Sequence, residues 1–203
     1  MIGNDVVDLG DPETRPGARH PRFDARVFDR AELALLAGSG APERLRWILW
    51  AAKEAAYKVA RKLDPRAAFA PARFGVRLDA GLRGRVEHAG RALPCLVRAG
   101  PDSVHAVAAD AELDPERLLL GEARLGEAGA GGGAEPGLAV RRLAIARLAR
   151  HLRAAPAELA IARRGRIPEL LRRGEATGLD LSLSHHGELV AFACQVDRAG
   201  RNP

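Results

Sequence analysis

Long apolar runs are absent from this 203-residue sequence, and none approaches the ~18 to 20 residues that a membrane-spanning helix needs. The first residues, MIGNDVVDLGD, contain no basic stretch followed by an apolar one, so we expect no secretory signal. Cysteine is scarce, and Cys95 and Cys194 lie far apart in apolar segments, which predicts buried free thiols in a reducing compartment. These absences predict a cytoplasmic protein without a membrane span.

Several well-known functional patterns are missing as well. Aromatic residues form only 4% of the chain, which leaves few stacking platforms for single-stranded nucleic acid, and no helix-turn-helix or zinc-finger spacing is present. The sequence has no G-x-S-x-G motif, no glycine-rich phosphate loop and no Cys/His cluster for zinc. The net charge of +6 still favours an anionic partner, such as nucleic acid, a phosphorylated small molecule or an acidic protein.

One low-complexity stretch, GEAGAGGGAEPG at 126–137, predicts a flexible linker between a first part, 1–125, and a second part, 138–203. The first part has strand patterns at 2–9, 74–79, 84–90, 92–99 and 103–110, and helix patterns at 28–36 and 44–63. The second part has a helix pattern at 139–153, a turn at Pro156, a basic loop at 163–174, and two strands within 180–196. Both parts end in an alternating Ala/Val-rich strand, which is explained either by an internal duplication or by chance.

The long helix carries charges among apolar residues. Trp50, Glu54, Tyr57, Lys58 and Arg61 share one stripe, and a second face is also apolar, so the helix is predicted to be internal. Glu54 and Lys58 then form either an ordinary i, i+4 ion pair, worth ~0.3 to 0.5 kcal/mol, or a site. A partly buried carboxylate favours a bound metal ion or a ligand phosphate.

The first strand supplies a second carboxylate. Its alternation places Asp5 on the same face as Gly3, Val7 and Leu9, where an acid is unexpected unless it pairs with a cation or merely caps the strand end. Gly3 has no side chain and allows a ligand or another backbone to approach closely. Two carboxylates without nitrogen or sulfur ligands suit Mg²⁺.

The segment LSLSHHGELVAFA supplies a third group. Its alternation predicts that Ser182 and Ser184 face outward and that His185 follows at the strand end, beside Gly187. A hydroxyl, an imidazole and free backbone N–H groups suit a phosphate, although a surface turn histidine is an equal alternative.

Together these three segments resemble the 4′-phosphopantetheinyl transferase superfamily. Its pattern is an I-G-x-D strand, a W-x-x-K-E-A-x-x-K helix and an S-x-S-H turn, often preceded by a G-[KR]-P loop. The counterparts here are Ile2-Gly3-Asn4-Asp5, Trp50 with Lys53-Glu54-Ala55 and Lys58, and Ser182-Leu183-Ser184-His185. Residues 22–33 are also similar to the segment before the helix in the holo-acyl-carrier-protein synthase branch. The chain departs from the pattern at Gly165-Arg166-Ile167-Pro168 and at Val7, where larger members carry a second acid.

The resemblance implies an α+β fold and an Mg²⁺-dependent transfer of the phosphopantetheine arm of coenzyme A to a serine of an acidic apo carrier protein. It implies that Asp5 and Glu54 hold the metal and that Glu54 and Lys58 are catalytic. It further implies that His185, Ser184, Lys53 and Arg166 bind the nucleotide phosphates. Two alternatives remain, a relative that binds coenzyme A or a carrier without turnover, and a basic nucleic-acid-binding module.

The order of the motifs is reversed relative to larger family members, in which the half with G-[KR]-P and S-x-S-H comes first. We therefore predict a circularly permuted pseudo-dimer, made of two similar α+β halves with the active site in the cleft between them. Such a chain is expected to work as a monomer.

Overall fold

The computed structural model describes residues 1–127 and 135–196 and contains four α-helices and ten β-strands in these ranges. The helices are α1 (Phe23–Val27), α2 (Arg30–Gly38), α3 (Pro42–Leu63) and α4 (Pro136–Leu152). The strands are β1 (Ile2–Asp8), β2 (Gly75–Leu78), β3 (Arg83–His88), β4 (Arg91–Ala99), β5 (Ser103–Ala109), β6 (Leu118–Arg124), β7 (Leu159–Arg164), β8 (Ile167–Arg172), β9 (Glu175–His186) and β10 (Leu189–Gln195). Short 3₁₀ turns occupy Pro12–Thr14, Pro16–Ala18, Pro71–Arg73, Pro115–Arg117 and Pro156–Glu158.

The central helix α3 has clear start and stop signals. Pro42 occupies its first turn, Arg61 and Lys62 lie in its last turn, and Asp64-Pro65 ends it. Most of its apolar residues are buried against the first sheet, as the two-faced apolar pattern predicts. In the described part of the chain, no helix is long and apolar enough to cross a membrane.

Two antiparallel five-stranded sheets have the same strand order, β1-β5-β4-β3-β2 and β6-β10-β9-β8-β7. In each, a first strand leads through a helix to a four-stranded meander whose last strand returns to pair with the first. Equivalent backbone hydrogen bonds recur, because Leu9 N–H donates to Asp102 O at 2.8 Å and Leu125 N–H donates to Glu188 O at 2.8 Å. The expected α+β fold with two similar halves is confirmed, whereas the circular permutation stays a prediction.

The structure corrects the predicted basic loop at 163–174. This segment forms the end of β7, a turn at Gly165 and Arg166, and strand β8, with Gly165 in the left-handed region at φ +65°. Strand β6 was also not predicted, and it pairs with β10 in the second sheet although the predicted division groups it with residues 1–125. That division stays a prediction, and 128–134 of the predicted linker lie outside the described residues.

The two halves meet through β1, because its side chains alternate between two packing partners. Ile2 and Val6 pack on Ala193 and Ala191 of β10, in the second half. Val7 on the opposite face joins the core around α3. Cys95 and Cys194 are buried free thiols in their respective cores, as predicted. Strand β1 thus lies between helix α3 and the second half.

Candidate functional site

Helix α3 crosses β1 at very short distance where Gly3 lies. A Cβ atom at Gly3 would be 2.1 Å from the carbonyl oxygen of Ala55, which no side chain can tolerate. The sequence allowed either a ligand or another backbone to approach Gly3, and the structure shows that the helix backbone does so. This close packing brings Asp5, two residues along β1, beside the motif residues of α3.

Asp5 lies on the α3 face of β1, as its alternation with Val7 predicts, and its side chain is only 13% exposed. Lys58 Nζ donates to Asp5 Oδ1 at 3.0 Å and to the Asn4 carbonyl oxygen at 2.7 Å. Burial nevertheless raises the pKa of Asp5, and the positive charge and hydrogen bond of Lys58 only partly offset that rise. The Asp5 carboxylate is thus short of compensating positive charge.

Glu54 lies one turn before Lys58 on the same stripe of α3. Burial, and then repulsion from Asp5, raise the pKa of Glu54 from 4.5 to about 7, against a smaller attraction from Lys58. Among the described residues, no donor forms a hydrogen bond with its carboxylate. Two neighbouring carboxylates with raised pKa values and one lysine form a site that a divalent cation would neutralise.

His186 is a neighbour of this site that the sequence did not identify. Its Nδ1 accepts a hydrogen bond from the Asp8 backbone N–H at 3.2 Å, and the ring is close enough to Asp5 for a charge on it to lower the pKa of that carboxyl. The Asp8 carboxylate forms a further contact between β1 and the second half, because it accepts a hydrogen bond from the Glu188 backbone N–H at 3.1 Å. The signal for His186 was present in the sequence, since strand alternation places it with Ser182 and Ser184 rather than with His185.

His185 and Arg166 are both exposed. Strands β8 and β9 are antiparallel, with Glu169 opposite Asp180, so the Gly165–Arg166 turn and the β9–β10 turn lie at the same end of the second sheet. The structure thus places both basic side chains at one end of the second half. Their contact with a nucleotide stays a prediction.

Lys53 requires a correction. Its side chain is fully buried, and its ammonium donates to both carboxylate oxygens of Glu32, at 2.7 and 2.8 Å, and to the Phe74 carbonyl oxygen at 2.6 Å. All three N–H donors are therefore occupied inside the core, and the phosphate contact implied for Lys53 does not agree with this structure.

Ser184 requires a similar correction. The predicted outward face of β9 is the face that packs against β1, so the Ser184 hydroxyl is buried and accepts from Asn4 Nδ2 at 2.9 Å. Ser182 accepts from the Asn4 backbone N–H, also at 2.9 Å. The S-x-S part of the motif therefore joins the halves in this structure.

A second group of metal-ligating residue types lies nearby, in Asp11, Glu13 and His186. The Nδ1 atom of His186 is already an acceptor for Asp8 N–H, so the neutral ring carries its proton on Nε2. Neither ring nitrogen then offers a free lone pair to a metal. The Asp5–Glu54 pair is the better candidate for Mg²⁺.

Within 135–196 and the preceding strand β6, the structure shows no carboxylate pair equivalent to Asp5 and Glu54. Counting back from the equivalent residues Leu9 and Leu125, Gly121 occupies the place of Asp5, and a Cβ there would be 2.2 Å from the Phe192 ring. Helix α4, which corresponds to α3, contains no acidic residue. The Phe192 ring occupies the space of a side chain at this position, so among the described residues the carboxylate pair belongs to the first half.

Comparison with known proteins identifies a family for the first half of the chain. A family model described as the 4′-phosphopantetheinyl transferase superfamily matches residues 1–111, which is more than half of the chain and includes Asp5, Glu54 and Lys58. No curated protein matches the chain. The match ends just after β5, at the boundary between the two sheets. The chain belongs to the 4′-phosphopantetheinyl transferase superfamily.

Proposed function

We propose that the protein transfers the 4′-phosphopantetheine arm of coenzyme A to a serine hydroxyl of an apo carrier protein, with Mg²⁺ as cofactor. Membership of the superfamily supports phosphopantetheinyl transfer in general, with coenzyme A as the donor. The observation that carries the specific proposal is the pairing of Asp5 with Glu54 across β1 and α3, with Lys58 beside them.

Asp5 and Glu54 would hold the Mg²⁺ ion. Their chemistry fits, because both side chains offer oxygen ligands. Burial raises the pKa of each, and repulsion from Asp5 raises the pKa of Glu54 further. When bound, the ion supplies charge neutralisation for the pyrophosphate of coenzyme A. Val7 lies in the apolar core where larger family members carry a second acid, so the site has two protein carboxylates.

Glu54 is the proposed proton acceptor. In the reaction, the serine oxygen bonds to the phosphorus that bears pantetheine, the bond from that phosphorus to the bridging oxygen breaks, and 3′,5′-adenosine bisphosphate leaves. The hydroxyl proton goes to Glu54, directly or through a water. Burial and Asp5 raise the pKa of Glu54 to about 7 in the metal-free protein, and a bound Mg²⁺ would keep this carboxylate ionised and able to accept a proton.

Lys58 would stabilise the negative charge on the transferred phosphate, because its ammonium lies beside the carboxylate pair and remains 29% exposed. His185 and Arg166, from the exposed end of the second half, would contact the nucleotide phosphates. We assign no such role to Ser184 or Lys53, whose polar atoms are engaged in buried hydrogen bonds.

The partner would be an acidic acyl or peptidyl carrier protein of fatty-acid, polyketide or nonribosomal-peptide biosynthesis. The net charge of +6 favours encounter with such a partner and with the anionic donor. Because both halves of the proposed site come from one chain, we expect the protein to work as a monomer. We also expect it to work in the cytoplasm.

The test is to incubate the protein with coenzyme A, Mg²⁺ and a panel of apo acyl and peptidyl carriers, and to measure intact carrier masses. A carrier heavier by one phosphopantetheine group, attached at its serine, is the expected product. Absence of the adduct on every carrier would reject the enzymatic proposal and leave a non-catalytic binding protein.

A further inference from the structure

Helix α3 carries every lysine of the chain, although the chain has 32 lysine and arginine residues. Each of the three ammonium groups binds one carboxylate and at least one backbone carbonyl oxygen. The acceptors are Glu32, Pro71 and Phe74 for Lys53, Asp5 and Asn4 for Lys58, and Asp180, Ile2 and Leu181 for Lys62. An ammonium directs three donors from one point, whereas the planar fork of a guanidinium does not fit such converging acceptors.

Two of these lysines cover the open edge of β1, the first strand in the order of its sheet. Lys58 donates to the Asn4 carbonyl oxygen and Lys62, one turn later, donates to the Ile2 carbonyl oxygen at 2.7 Å. One helical turn advances about 5.4 Å and two strand residues about 6.6 Å, so the helix follows the strand closely. The two contacts fix the position of α3 along β1.

Side chains of β9 cover the N–H groups of the same edge. Ile2 N–H donates to Asp180, Asn4 N–H to Ser182 at 2.9 Å, and Asp8 N–H to His186 at 3.2 Å. We call these three β9 side chains the edge ladder. These three side chains thus take the place of a hydrogen-bonded neighbouring strand, while Ser184 between them accepts from the Asn4 side chain.

Lys62 of α3 contacts both β1 and β9, and one of its partners, Asp180, belongs to the edge ladder. Its side chain is 5% exposed, and its ammonium donates to Asp180 Oδ1 at 2.6 Å and to the Leu181 carbonyl oxygen at 2.8 Å, besides Ile2. Asp180 in turn accepts from Ile2 N–H with its other oxygen. One ion pair therefore connects α3, β1 and β9, the three elements that carry Glu54, Asp5 and His185.

We infer that Lys62 and Asp180 are positioning residues, which hold the phosphate-binding end of the second half in register with the carboxylate pair of the first half. The catalytic consequence rests on the proposed function, because it requires a donor molecule that contacts both halves. The structural consequence, a fixed position of β1 against β9, is independent of it. Neither side chain touches the reacting atoms in this assignment.

The experiment compares Lys62→Met, Lys62→Arg and the charge-neutral pair Lys62→Met/Asp180→Asn with the control Arg66→Met, whose side chain is 92% exposed. Circular dichroism first establishes a temperature at which each variant is folded. Hydrogen exchange of β1 and β9, Mn²⁺ affinity, and kcat and KM for coenzyme A are then measured. The double variant leaves no buried charge unpaired and keeps the test valid if Lys62→Met fails to fold.

We expect faster exchange in both β1 and β9, and a kcat lowered about 10- to 100-fold by misplacement of the bound donor. Mn²⁺ affinity should stay within about twofold of the wild type, because the Lys58 contacts and the close packing of Gly3 on Ala55 still hold α3 against β1. Lys62→Arg should resemble Lys62→Met, since charge alone does not reproduce the three contacts. Arg66→Met should match the wild type in every measurement.

Unchanged exchange in β1 and β9, or a kcat within about twofold of the wild type in the folded variants, would overturn the positioning role. If the wild type transfers nothing to any carrier, the proposed function fails. In that case the exchange measurements still decide whether the ion pair fixes the two halves.

Discussion

Replacing Glu54 with glutamine is expected to stabilise the metal-free protein above neutral pH while it abolishes transfer. The Glu54 carboxylate has a pKa of about 7 instead of 4.5, mainly because of burial and secondly because of Asp5. The folded state therefore binds this proton more tightly than the unfolded state does. The stabilising contribution of Glu54 is complete below pH 4.5 and is lost as the pH rises to about 7.

The size of the effect follows from the two pKa values. At about 1.4 kcal/mol for each pKa unit, a rise from 4.5 to about 7 destabilises the folded protein by about 3 kcal/mol at pH 8. At pH 5 the same relation gives only about 1 kcal/mol. Solvent screening makes both values upper limits, because Glu54 is partly exposed. Glutamine has the same shape and carries no charge, so the variant avoids this destabilisation.

Urea unfolding with a metal chelator, followed by circular dichroism at pH 5 and pH 8, measures the difference. The Glu54→Gln midpoint should exceed that of the wild type clearly at pH 8 and little at pH 5. Mg²⁺ at 100 times its dissociation constant should then stabilise the wild type alone, by about 2.7 kcal/mol. A variant that is no more stable at pH 8, or that Mg²⁺ stabilises as much as the wild type, would refute this account of Glu54.

Three further substitutions test the surroundings of the site. Gly3→Ala should destabilise the protein by about 1 to 3 kcal/mol or prevent folding, because the new methyl group overlaps the Ala55 carbonyl oxygen; an unchanged melting temperature would contradict this packing. Lys58→Gln should lower kcat by about 10²-fold or more with the fold intact, and near-normal kcat in the carrier assay would exclude its role. Lys53→Met should destabilise by about 3 to 5 kcal/mol, because it leaves Glu32 charged and buried, and Lys53→Met/Glu32→Gln should recover part of this loss in urea unfolding, because glutamine has no charge and its amide oxygen can still accept from Val76 N–H. If the double variant were as unstable as the single one, the buried pair would not be the cause.

Periodicity predicted part of the geometry of the candidate site. Alternation along β1 placed Asp5 on the apolar face that it shares with Val7, and the stripe on α3 placed Glu54 and Lys58 together. The absence of a side chain at Gly3 predicted a close approach. These inferences agree with the structure because each depends on neighbours within one strand or one helix.

The sequence could not reveal contacts whose partners are distant in the chain. The resemblance implies a phosphate contact for Lys53, and its actual partner, Glu32, lies 21 residues earlier in a separate helix. Ser184 faces outward from its own sheet, and only the packing of β1 against β9 buries it. The basic residues at 163–174 favour a loop. In the structure this segment includes β8, whose pairing with β9 depends on residues that come later in the chain.

The most direct test of the central claim is the intact mass of an apo carrier after incubation with coenzyme A. The experiment compares three reactions, which are the wild type with Mg²⁺, the wild type with a metal chelator, and Glu54→Gln with Mg²⁺. The account predicts a phosphopantetheine adduct only with the wild type and Mg²⁺. Equal adduct formation by the chelated protein or by Glu54→Gln would contradict a catalytic carboxylate pair at Asp5 and Glu54.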